Sequence, residues 1–100
     1  MKEIILETIY DSIDELNEQL SNEKQLTKST KTVLFGNSGQ LDSLGLVNLL
    51  IIIEQNIADN LEKSITIADE RAISQKHSPF RTIGSLTTYV NMILNEKYSF

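Results

Sequence analysis

Ile5, Ile9, Ile13, Leu16 and Leu20 recur along the first twenty residues at steps of four, four, three and four, with acids, Gln and Asn between them. Side chains at that spacing share one stripe of an α-helix, so an amphipathic helix is predicted, ending near Ser21-Asn22 where the periodicity stops. From Ser21 to Leu41 the chain turns polar, with Gly36-Asn37-Ser38-Gly39 as a loop signal and Val33-Leu34-Phe35 as its one strongly apolar stretch. A connection of this length is uncommon inside a compact domain and points to function or disorder. Leu34 and Phe35 are expected to tack it onto the core.

A second helix is predicted to begin at Ser43. Asp42 suits its N-cap, because a short carboxylate accepts hydrogen bonds from first-turn amides and sits well at the positive end of the dipole. Leu46, Leu49, Leu50, Ile53 and Ile57 then line one face, and burying each contributes roughly 1.5–3 kcal/mol. β-Branching alone would allow a strand over Leu49 to Ile53, but the length of the periodic pattern favours helix. Leu44, Val47 and Ile51 form a second stripe turned away from the first. Two covers are open for it: another part of the chain, or partner proteins.

Past Ile57 the pattern weakens. Ile65 and Ile67 alternate briefly, and Asp69-Glu70-Arg71-Ala72-Ile73 has the makings of one short helix. Ser78-Pro79 breaks the chain, since the residue before proline disfavours helix. Thr82 can cap a last helix carrying Ile83, Leu86, Val90, Ile93 and Leu94. The prediction is an all-α fold: a small three- to four-helix bundle in a single domain, 1–100, with a long loop between helices one and two.

Composition narrows the function classes. Of 100 residues, 40 % are hydrophobic and 23 % charged, ordinary values for a globular domain. The apolar residues are mostly Ile and Leu, with three Phe, three Tyr and no Trp, which forecasts an aliphatic core. Without Cys the fold has no disulfide and no thiolate ligand, and a single His makes a zinc site improbable. The first residues show no signal-peptide succession and the apolar runs fall short of a bilayer span, so a cytoplasmic protein without an integral membrane segment is expected.

The net charge of −5 is uneven: residues 1–41 carry −3, residues 42–70 carry −5 and residues 71–100 carry +3. An acidic middle repels nucleic acid and attracts basic protein surfaces. Arg71, Lys76 and Arg81 are separated by polar residues and do not make a nucleic-acid site.

Chemistry concentrates at Asp42-Ser43-Leu44, where the polar loop meets the apolar helix. A serine at a helix mouth, in a chain almost devoid of other reactive side chains, suggests an attachment point. Leu41-Asp42-Ser43-Leu44, followed by Val47, Leu49, Leu50 and Glu54 at helical spacing, resembles the acyl carrier proteins and related carrier domains. Asp69-Glu70 ahead of Thr82-Ile83-Gly84-Ser85-Leu86 and Tyr89-Val90 extends the likeness over nearly the whole chain.

The resemblance implies a bundle of acyl-carrier-protein type in which Ser43 receives 4′-phosphopantetheine from coenzyme A through a phosphopantetheinyl transferase. It implies a terminal thiol, borne by that cofactor, carrying acyl or aminoacyl thioesters among a loading ligase and downstream transferases or synthases. On this reading the chain is a non-catalytic carrier, and the hard chemistry belongs to the cofactor. Leu44, Val47, Ile51 and Glu54 fall where such carriers meet partner enzymes, although packing of the apolar three against the long loop is the competing reading.

Gly45 and Asn48 depart from fatty-acid-type carriers, which commonly have acids there, and a glycine after the motif resembles D-alanyl carriers. The stretch Ser74 to Arg81 is also longer than in compact fatty-acid carriers. The alternative from another class is a helical protein-interaction module with no prosthetic group. A hydrolase built on Ser43 is disfavoured, because adjacent Asp42 and Ser43 cannot both take triad geometry around His77, which is expected to be a solvated loop residue. No extended heptad seam is present, so a monomer is expected.

Overall fold

The computed structural model describes residues 2–35, 41–67 and 80–98. Within them lie three α-helices: α1 (Lys2–Asn17), α2 (Ser43–Leu61) and α3 (Ile83–Tyr98). Among the described residues there is no strand, and an isolated antiparallel bridge joins Val33 to Thr82. The fold is a small all-α bundle. Its radius of gyration of 12.6 Å is close to the roughly 13 Å of a compact chain of this length.

The predicted stripes make the core. Ile5, Ile9, Ile13 and Leu16 of α1 meet Leu46, Leu49, Leu50, Ile53 and Ile57 of α2, and Ile83, Leu86, Val90 and Leu94 of α3 complete the interior. α1 packs on both other helices. Ile93 is only half-buried, whereas Thr87 lies in the core, its hydroxyl satisfied by the Ile83 carbonyl at 2.7 Å. Thr8 and Ser12 of α1 are buried by the same device, donating to the carbonyls of Ile4 and Thr8 at 2.9 Å each.

α1 ends at Asn17, earlier than its periodicity predicts. Its last turn tightens, with the amides of Gln19 and Leu20 bonding back three residues to Leu16 and Asn17. Asn17 is then free to turn its side chain to the loop, where Nδ2 donates to the Leu26 carbonyl at 3.0 Å and Oδ1 accepts the Leu26 amide at 2.8 Å. Leu26, 4 % exposed, anchors this stretch in the core, and Leu34 does so further along as predicted.

α2 starts at Ser43 as predicted but continues past Ile57 to Leu61, stopped by Glu62 in the left-handed region at φ 54°. The segment beyond is pinned in alternation. Ile65 and Ile67 are buried, Tyr98 Oη accepts the Ser64 amide and donates to its carbonyl, and Glu54 Oε2 accepts the Ile67 amide at 2.6 Å. The start of α3 is bonded to Thr32, ahead of α2, and its end to Ser64, past α2, so these two helices run in the same sense. The predicted short helix at Asp69–Ile73, the Ser78-Pro79 break, His77 and Gly36–Gly39 lie outside the described residues.

The expectation that apolar runs fall short of a bilayer meets one qualification. By length and composition alone α2 is sufficient to cross a membrane, with 19 residues and a mean hydropathy of 1.2. Its principal apolar stripe is nevertheless fully buried against the rest of the bundle, as in the core helix of many small domains.

Candidate functional site

Asp42 is the N-cap of α2: with φ −83° and ψ −177° it is extended, and its Oδ1 accepts the Gly45 amide at 2.7 Å. Its carbonyl accepts the Leu46 amide at 2.9 Å, the first bond of the helix. Ser43 is therefore the first helical residue, and it is exposed. Among the described residues no acceptor engages the amides of Ser43 and Leu44. A serine hydroxyl thus stands beside two open N–H groups at the positive end of a 19-residue helix.

The start of α3 is built the opposite way. The amides of Ile83 and Gly84 donate to the loop carbonyls of Thr32 and Thr30 at 3.1 and 2.9 Å. Thr82 and Ser85 then cap reciprocally, Ser85 N–H to Thr82 Oγ1 and Thr82 N–H to Ser85 Oγ, both at 3.0 Å. The first-turn amides of α3 are engaged by the protein itself, whereas two of those of α2 have no acceptor among the described residues.

Gly45 belongs to the cap. A Cβ there would stand 3.2 Å from Asp42 Oδ1 and 3.3 Å from Leu41 Cδ2, so glycine lets the capping carboxylate and the buried Leu41 side chain close over the first turn. Glycine at this position has a local packing reason.

The second stripe of α2 faces outward for most of its length. Leu44 is 70 % exposed and Ile51 42 %, with Val47 half-buried between them. Val47 is thus covered in part, and Leu44 and Ile51 are left to solvent. Asn48 and Gln55 are exposed alongside, so from Leu44 to Ile51 and Gln55 this face mixes aliphatic and uncharged amide side chains. Glu54 is only partly exposed and its carboxylate holds Ile67.

Exposed acids lie instead along α1, where Glu3, Glu7, Asp11 and Asp14 follow one another at steps of four, four and three. That stripe was legible in the sequence as the polar counterpart of the isoleucine stripe. Asp14 is paired with Lys28 at 3.2 Å. A separate open cleft of about 490 Å³ lies between the starts of α1 and α3, lined by Lys2, Glu3, Leu6, Thr30, Gly84 and Thr87 among others. No residue of α2 lines it, so it is distinct from the Ser43 end.

No family model, curated protein or solved structure matches this chain.

Proposed function

We propose that this protein is a carrier of acyl-carrier-protein type, in which the Ser43 hydroxyl accepts a 4′-phosphopantetheine arm. The observation that carries the reading is the α2 terminus: an exposed serine at the first helical position, an aspartate cap behind it, and two amides without acceptors among the described residues beside it. A phosphodiester there gains fixed donors and the helix dipole, worth about 0.3–1 kcal/mol at an exposed position.

In the loading step Ser43 Oγ attacks the pantetheine-side phosphorus of coenzyme A. The new bond is O–P, the bond broken joins that phosphorus to adenosine 3′,5′-bisphosphate, and the serine proton passes to a base of the transferase. The attached arm supplies the thiol that a cysteine-free chain lacks, for an acyl or aminoacyl thioester. The chain's own contribution is anchorage and presentation.

Partners in this reading are the phosphopantetheinyl transferase, a loading ligase and the transferases or synthases that follow. Leu44, Val47 and Ile51 offer them an apolar contact next to the loaded serine. Glu54, half-exposed on the same helix, is the polar member of that partner contact, and its carboxylate also accepts the Ile67 amide.

The test is intact-mass measurement after incubation with coenzyme A and promiscuous phosphopantetheinyl transferases. One phosphopantetheine is expected on the wild type and none on Ser43→Ala, which should stay within about 0.5 kcal/mol of wild-type stability because the side chain is exposed. An unmodified wild type across several transferases would sink the reading. The exposure of Leu44 favours one second reading, a protein-interaction module, in which Ser43→Ala keeps full partner binding and Leu44→Glu abolishes it.

A further inference from the structure

The loop that delivers Ser43 is not held by α2 alone. A short ladder ties it to the start of α3: Gly84 N–H to Thr30 O, Ile83 N–H to Thr32 O, and Leu34 N–H to Arg81 O at 2.7 Å. Leu34 O then accepts the amide of Leu41 at 3.1 Å, and Leu41 directly precedes the Asp42 cap and Ser43. Four hydrogen bonds thus lead from the first turn of α3 to the residue before the cap.

The first rung of this ladder is tight. A Cβ on Gly84 would lie 2.9 Å from the Thr30 carbonyl oxygen and 3.4 Å from Thr30 Cβ. The nearest obstacle is backbone, so no side-chain rotation relieves it and either the loop or the helix start must move. Glycine in the first turn of a helix is otherwise unfavourable. Its use here is explained by the approach of the loop.

We propose that Gly84 is a positioning residue for Ser43, setting the loop from Thr30 to Leu34 on α3 and through it the Leu41-Asp42 entry into α2. The functional half of this inference rests on the carrier reading; the structural half does not.

The experiment is amide hydrogen exchange on the full chain together with the transferase loading rate. Gly84→Ala is expected to speed exchange at Leu34 and Leu41 by about tenfold, the scale of one lost hydrogen bond, and to slow loading by roughly three- to tenfold. Asn95→Gly, an exposed position further along α3, is the control: it lowers helix stability and leaves the two amides relative to the global rate, and loading, unchanged.

Thr30→Gly, with its carbonyl freer to swing, is expected to restore part of the protection and loading in the Gly84→Ala background. Should Gly84→Ala fail to fold, Thr30→Gly alone is expected to speed the same amides. Wild-type exchange at Leu34 and Leu41 in Gly84→Ala, or in Thr30→Gly alone where Gly84→Ala does not fold, or equal effects from Asn95→Gly, would overturn the coupling. Faster exchange with unchanged loading would overturn the positioning role. A wild type that no transferase loads removes the carrier reading and that role with it, while the exchange data still decide the coupling.

Discussion

The side-chain amide of Asn17 brackets the backbone of Leu26, giving one hydrogen bond and taking one, nine residues away along the chain. It does for a loop what a neighbouring strand does in a sheet, satisfying both main-chain groups of a residue whose side chain is in the core. Asn17→Ala removes both partners at once, and we expect a loss of about 1–3 kcal/mol in urea unfolding. Asn17→Asp keeps the acceptor and loses the donor, so it should fall between.

The Asp42 cap is expected to contribute about 1 kcal/mol. Asp42→Ala should lower the unfolding midpoint accordingly, and Asp42→Asn, which retains an oxygen acceptor for Gly45, should lower it less. Loading rates of the two variants separate capping from recognition. A transferase that reads only the helix start treats the Asn variant as wild type.

Ile51 and Ile53 stand two residues apart on opposite sides of the helix boundary between core and solvent. Ile51 is 42 % exposed and Ile53 fully buried. Ile51→Glu is expected to leave stability within about 0.5 kcal/mol and to impair transfer to partner enzymes. Ile53→Ala should lose about 2–5 kcal/mol. Equal destabilisation by both, seen by thermal unfolding, would assign Ile51 to the core.

Glu62 ends α2 with a positive φ of 54°, a conformation that costs a residue with a Cβ about 1–2 kcal/mol. Glycine relieves it while adding freedom to the unfolded chain. Glu62→Gly is therefore expected to raise stability by about 0.5–1 kcal/mol in chemical denaturation, without changing the loading of Ser43.

The parts of this fold legible in the sequence are those decided by contacts three and four residues apart. The five buried positions of α2, its start at Ser43 under an Asp42 cap, and the Thr82 cap of α3 are all local, and each is where the pattern puts it. Leu34 was legible as an anchor of the loop, but the end of α1 and the loop's polar attachments were not. They depend on Asn17 meeting Leu26 and on Thr30 meeting Gly84, pairings set by tertiary approach. Ser43 itself could be singled out from its setting, but the open amides beside it, and the filled ones at α3, are visible only in three dimensions.

A core made almost wholly of isoleucine and leucine has a weakness: helices coated with such similar side chains can slide by a turn and bury nearly the same area. Asn56 of α2 answers it. Its Nδ2 donates to Ser12 Oγ at 2.9 Å and to Glu15 Oε2 at 2.6 Å on α1. A one-turn slip would take the half-buried Asn56 amide away from both of its acceptors on α1, a cost that the apolar surfaces do not offset. One polar pair thus chooses a single alignment from a set of near-equals, and makes α1 a fixed rail along which α2 holds Ser43 at a constant height.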